Sequence, residues 1–159
     1  MPEILTSPPP RRLGHQVLVQ NSDGAILLEE VTYKPDGLIL PGGSAEAREL
    51  PHLAARRHLE TETGLSLPLN RVLAVDYVDS QLLPEGMNFV YWGGRVTKVQ
   101  VELVAQHRPP QEIVGLHWIH DSQLPELMEA DQYRRVKQAL AALARGASLP
   151  MLLRGVPAE

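Results

Sequence analysis

The sequence predicts an α/β fold of one domain, and three observations point there. Apolar or alternating β-prone segments recur along the chain, at 15–20 (HQVLVQ), 25–33 (AILLEEVTY), 71–78 (RVLAVDYV), 87–92 (MNFVYW) and 112–119 (EIVGLHWI). A helix-length stretch rich in Ala, Leu, Arg and Glu follows a Pro-Gly-Gly turn and closes at Gly64. A second helix is predicted over 129–146, where Tyr133, Val136, Leu140 and Leu143 recur at helical intervals and Gly146 supplies a stop.

Composition sets outer bounds. A chain of 159 residues, 43% hydrophobic and 21% charged, is long enough for one well-packed core and reads as globular. The net charge of -4 offers no basic field to draw the chain to nucleic acid. With no cysteine, disulfides, thiolate catalysis and Cys-built zinc sites are excluded. No apolar run reaches the roughly 18 residues of a membrane span. The N-terminus lacks the order of a signal peptide, so a cytoplasmic location is expected.

The elements follow in order. Residues 1–13, with three consecutive prolines and two arginines, read as a flexible arm ahead of a domain over 14–146. The strand at 15–20, the turn Asn21-Ser-Asp-Gly24 and the strand at 25–33 form a hairpin, with Glu29 and Glu30 read first as solvated edge charges and alternatively as substrate contacts. Lys34-Pro-Asp-Gly37 turns the chain toward the Pro-Gly-Gly segment. Pro51 suits a first helical turn, and Leu53 and Ala54 are expected to pack on the sheet. After the strands at 71–78 and 87–92, Gly93-Gly94 is read as a turn. Residues 96–105 are read as a further strand because apolar and polar residues alternate there. Phe89, Tyr91 and Trp92 are expected to serve structure first, with Trp92 the one suited to stacking on a base or sugar. The Lys and Arg of the C-terminal helix are expected to be solvated. In the tail, 147–159, Met151-Leu-Leu is expected against the domain or at a homodimer contact.

The stretch with chemistry in it is 40–65, LPGGSAEARELPHLAARRHLETETGL. Gly43, Glu49, Arg57, Leu59, Glu62, Gly64 and Leu65 fall at the spacing G, five residues, E, seven residues, then R-E-U-x-E-E-x-G-U, where U is aliphatic. This resembles the Nudix box, the loop-helix-loop signature of hydrolases that cut a diphosphate linked to another moiety. The hairpin followed by L-P-G-G, and the pattern from Glu112 to Trp118, resemble the same family. The resemblance implies an α/β/α sandwich, a mixed sheet between the box helix and the C-terminal helix. Two box positions depart from the pattern. His58 and Thr61 stand where the family places carboxylates, so metal affinity is expected to be weak or altered.

What the resemblance implies for the site is specific. Gly43, through its carbonyl region, Glu49 and Glu62 would hold a divalent cation, magnesium or manganese. Glu62 and His58 would carry the reaction, with His58 as an unusual base or ligand. Glu112 would add a ligand or base from outside the box. Arg57 orients the helix and, with Trp92, is a substrate-facing candidate. The chemistry explains the residue types: hard cations want oxygen ligands, and a helix presents them on one face at spacings of three and four. Neutral imidazole accepts a proton near pH 7 and suits manganese or zinc better than magnesium. The expected partner is a nucleotide or other diphosphate-containing small molecule, and neither nucleic acid nor a membrane. Two functions follow: metal-dependent hydrolysis weakened by the altered box, or a Nudix-fold domain that binds a ligand without cutting it.

Overall fold

In the computed structural model, which describes residues 1–158, the strand-forming segments assemble into one seven-stranded sheet. The elements are α1 (Glu3–Thr6), β1 (Arg12–Gln20), β2 (Ile26–Val31), β3 (Gly42–Ser44), α2 (Pro51–Thr63), β4 (Arg71–Val78), β5 (Gly86–Arg95), α3 (Lys98–Gln106), β6 (Ile113–Ile119), α4 (Leu124–Leu127), α5 (Ala130–Ala144), β7 (Leu149–Pro150), β8 (Leu152–Leu153) and β9 (Val156–Pro157). The sheet order is β6-β2-β1-β5-β4-β7, with β3 also pairing β1. Only β1 and β5 run parallel, so the sheet is mixed, as expected.

Strand alternation divides the core between two faces. Val17, Val19, Leu27 and Tyr91 pack with Ala55 and Leu59 of α2 and Val104 of α3. Leu18, Leu28 and Val90 pack with Val136 and Ala139 of α5. The α/β/α sandwich is therefore observed. Helix α2 begins after Leu50 with Pro51 in its first turn and ends at Gly64, whose φ of 78° lets its N–H reach the carbonyl of Glu60. Ala54 is buried as expected, whereas Leu53 is largely exposed; His52, Ala55 and Leu59 form the rest of the inner face.

Several expectations need correction. Residues 96–105 do not form a strand: Lys98–Gln106 is a helix. Thr97 caps it, its hydroxyl accepting from the Gln100 N–H at 3.2 Å while the Gln100 side chain accepts from the Thr97 N–H at 2.9 Å. Such a reciprocal cap contributes about 1 kcal/mol. Gly93-Gly94 is not a turn but lies within β5, where the pairing of Leu18 with Trp92 and Val19 with Gly94 leaves Gly93 as a bulge. Glu29 is not a solvated edge charge; it is fully buried on the α2 face. Arg135 is likewise buried rather than solvated.

The ends of the chain are tied to the sheet. Arg11 pairs with Glu85 at 2.7 Å, and Arg12 Nε donates to the Pro84 carbonyl at 2.7 Å. Leu149–Pro150 extends the sheet beside β4, and the Tyr91 hydroxyl lies 3.6 Å from Met151 Sδ.

Candidate functional site

The site is built where the loop before α2 crosses the sheet. β3 pairs with β1, setting Gly43 opposite His15 and Gly42 opposite Gln16. No side chain fits at either glycine: a Cβ on Gly42 would strike the His15 carbonyl, and one on Gly43 would strike the His58 ring. The chain can therefore run flat under α2, and the helix lowers two side chains onto it. Glu62 Oε2 accepts from the Gly42 N–H at 3.2 Å, and His58 Nδ1 lies 3.1 Å from the Gly42 carbonyl and 3.5 Å from Glu62 Oε1. The i,i+4 spacing read from the sequence does bring His58 and Glu62 together.

A third group completes this cluster, one that the sequence offered first as an edge charge and not as a metal ligand. Glu29 on β2 reaches the Glu62 carboxyl from below. Burial first, then repulsion and a hydrogen bond from Glu62, push its proton affinity far above the ordinary carboxylate range. Its Oε1 has no hydrogen-bond partner. The alternation of 25–33 could have located it: with Leu27 on the α2 face, residue 29 must share that face. His58 is held above its usual pKa, chiefly by the hydrogen bond to Glu62 and also by that to Gly42. His15 stands edge-on to the His58 ring, with centroids 4.8 Å apart. Burial and the nearby His58 and Arg57 lower His15 to about 3, and neither ring nitrogen has a partner.

The other predicted residues are arranged differently. Glu49 is engaged by Arg57, which donates through Nε at 2.8 Å and through a terminal nitrogen at 2.9 Å, while the Glu46 N–H donates to the same carboxylate. The Arg57 hydrogen bonds hold Glu49 down at about 2. Arg57 thus fixes the loop to the helix, and the expected orienting role has a geometric basis. Of the substrate-facing candidates, Arg57 is hydrogen-bonded to Glu49, and Trp92 packs on the α5 face with Leu18 and Leu140; neither is among the residues lining the adjacent cleft. Glu112 is exposed just before β6, where its charge, with those of Glu29 and Glu62, raises the Tyr33 phenol further than burial alone. Thr61 is exposed, and its carbonyl meets His107 Nε2 at 2.8 Å. Among the described residues, no three His, Cys, Asp or Glu side chains are grouped to hold an ion.

A cleft of about 380 Å³ opens beside this cluster. Its lining includes His15, Gln16, Ile39, Gly42 and Gly43, with Arg12, Tyr33, Lys34, Gln132 and Arg135. It joins the edge of the carboxyl pair to the start of α5.

Comparison with known proteins agrees with this architecture. The NUDIX domain profile matches residues 10–140. The chain is 30% identical over 122 residues to an RNA pyrophosphohydrolase of Erythrobacter litoralis (strain HTCC2594), covering 65% of this chain and 73% of that protein. Among solved structures, the MutT protein from Methanosarcina mazei Go1 superposes with a TM-score of 0.68 at 18% identity, covering 86% of this chain and 96% of that one. An ADP-ribose pyrophosphatase from Streptococcus suis 89-1591 superposes with a TM-score of 0.60 at 17% identity, covering 84% and 92%. These two likenesses bear on the fold, whereas the profile spans the box, the sheet and most of α5 together. The chain belongs to the NUDIX domain family, the Nudix hydrolases.

Proposed function

We propose that this protein hydrolyses the phosphoanhydride of a nucleoside diphosphate linked to another group, using a divalent cation held by Glu62 and Glu29. The observation that carries the reading is the contact of buried Glu29 with partly buried Glu62, whose Oε2 accepts from Gly42, a residue that lines a cleft large enough for a nucleotide. Two carboxyls in contact, one of them out of water, need either a proton or a cation between them. With Glu29 Oε1 unpartnered, these residues fit a hard cation. Such a cation supplies neutralisation of phosphate oxygens and polarisation of water.

The chain's own groups do the rest. Gly42 and Gly43 let the loop lie against β1 and under the His58 ring, and Glu49 with Arg57 holds that loop against α2. Arg12 and Lys34 offer positive charge along the cleft. When His58 is neutral with its Nδ1 proton on the Gly42 carbonyl, Nε2 is free to accept a proton from water. The names of an RNA pyrophosphohydrolase and an ADP-ribose pyrophosphatase support a substrate with a phosphoanhydride, without choosing one.

The second reading, binding without cutting, is favoured by one feature: an imidazole rather than a carboxylate lies over Gly43. A panel of nucleoside diphosphate conjugates and dinucleotides, incubated with magnesium or manganese, separates the two. Release of mononucleotide that is lost in Glu62→Gln supports hydrolysis. Saturable binding without release, in both proteins, overturns it.

A further inference from the structure

The cleft also holds a polar network that the hydrolytic chemistry does not use. Arg135, on α5, is 7% exposed, and Gln16 and Gln132 are 9% and 7% exposed. Arg135 Nε donates to Asp76 Oδ2 at 2.6 Å, which fixes the guanidinium. Its Nη1 then donates to Gln16 Oε1 at 3.0 Å and to Gln132 Oε1 at 3.3 Å. Gln16 Nε2 donates to the same Gln132 oxygen at 3.0 Å.

Arginine has five donors and no acceptor, so an amide facing it must present oxygen. Both amides are therefore oriented by chemistry alone. Both carbonyls are consumed, and what remains for the cleft is donor character: the Gln132 amide N–H groups and the second N–H of Gln16. Both of these bonds to Gln132 end on its Oε1, and the residue is more than nine-tenths buried and lines the cleft. Asp131, an acceptor on the same cleft, is exposed at the rim, as are the lining groups Asp79 and Ser80.

Resting on the nucleotide reading of this cleft, we infer that Gln132 and Gln16, polarised by Arg135, select a base whose edge carries a ring carbonyl over one carrying an amino group. A buried donor facing an exocyclic amino group leaves two donors opposed and unpaired, whereas a carbonyl at the same position accepts the hydrogen bond. Inosine differs from adenosine, and uridine from cytidine, in this exchange of oxygen for amino group at one ring position and the ring nitrogen beside it. Arg135 acts as a positioning residue, since it sets the polarity of the two amides.

The test uses nucleoside monophosphates, which carry no anhydride and so report binding alone. Calorimetric titration of the wild-type protein should give IMP tighter than AMP, and UMP tighter than CMP, by about tenfold. Gln132→Glu keeps an oxygen for Arg135 and Gln16 and turns the remaining donor into an acceptor, so the preference should reverse to AMP and CMP. Arg135→Met, which frees the amides to rotate, should bring both ratios toward one. Far-ultraviolet circular dichroism melts verify that each variant is folded. Equal affinities for IMP and AMP in wild type, or an unchanged ratio in Gln132→Glu, would overturn the inference. If the conjugate panel is cleaved with no base preference, only the base assignment falls. If no nucleotide binds or is cleaved, the nucleotide reading falls with it.

Discussion

Glu29 on β2 and Glu62 on the last turn of α2 bring their carboxyls together beneath Gly42, one fully buried and the other hydrogen-bonded to the Gly42 N–H. This contact joins the sheet to the box helix, and it costs the fold something. Glu29 has a raised pKa in the folded state, so its stabilising contribution is complete below the unfolded value of 4.5 and declines as the pH rises above it. In the presence of a chelator, Glu29→Gln should therefore raise the melting temperature at neutral pH, by about 1–3 kcal/mol of stability, and the gain should shrink toward about pH 4. The same variant should lose manganese-dependent activity. Melts across pH check the first part, and a hydrolysis assay the second.

Gly43 and His58 should be coupled. Gly43→Ala places a methyl group in the His58 ring and should destabilise by about 1–3 kcal/mol. The double variant Gly43→Ala with His58→Ala should recover most of that loss, because the obstructing ring is gone. A double-mutant cycle on urea unfolding measures the coupling. Strict additivity would mean that the ring moves away freely.

His15 makes the fold acid-sensitive. In the unfolded chain it takes up a proton near the ordinary histidine value of 6.5; in the fold it does so only at about 3. Between those values the unfolded state binds more protons, so stability falls as pH falls, and the loss is complete at about pH 3. His15→Leu should remove on the order of 1 kcal/mol of the decline between about pH 7 and 5.5. Parallel unfolding curves for the two proteins at both pH values provide the check.

Restoring the two box carboxylates should tie stability to metal. In His58→Glu with Thr61→Glu, the carboxylate at 58 would face the Gly42 carbonyl and Glu62, two oxygen groups in place of the pairing His58 makes with both. The double variant should melt lower than wild type in chelator and gain more than wild type on adding manganese. Equal manganese shifts in the two proteins would contradict a metal-facing role for this helix face.

Much of the architecture was legible because periodicity and punctuation agreed. Gly64 closes α2, Val136 and Ala139 place α5 on the sheet, and the box spacing brought His58 and Glu62 to one face. Residues 96–105 misled because V-x-V-x-L over 99–103 alternates like a strand, although Val99 and Leu103 turn outward from a helix. The Thr97–Gln100 cap was the overriding local signal. Glu29 and Arg135 were missed for a different reason. A charged residue is assigned to solvent until its partner is known, and their partners lie 33 and 59 positions away, at Glu62 and Asp76. Trp92 was read as a stacking candidate beside a Gly-Gly turn, but Gly93 and Gly94 lie within β5 and the indole packs on the α5 face.

The central claim is that Glu62, paired with Glu29, holds the divalent cation. Manganese titration followed by electron paramagnetic resonance tests it without depending on any substrate. Wild-type protein should show saturable manganese binding that Glu62→Gln abolishes while its melting curve remains cooperative. Binding of equal affinity in a folded Glu62→Gln variant would contradict the claim.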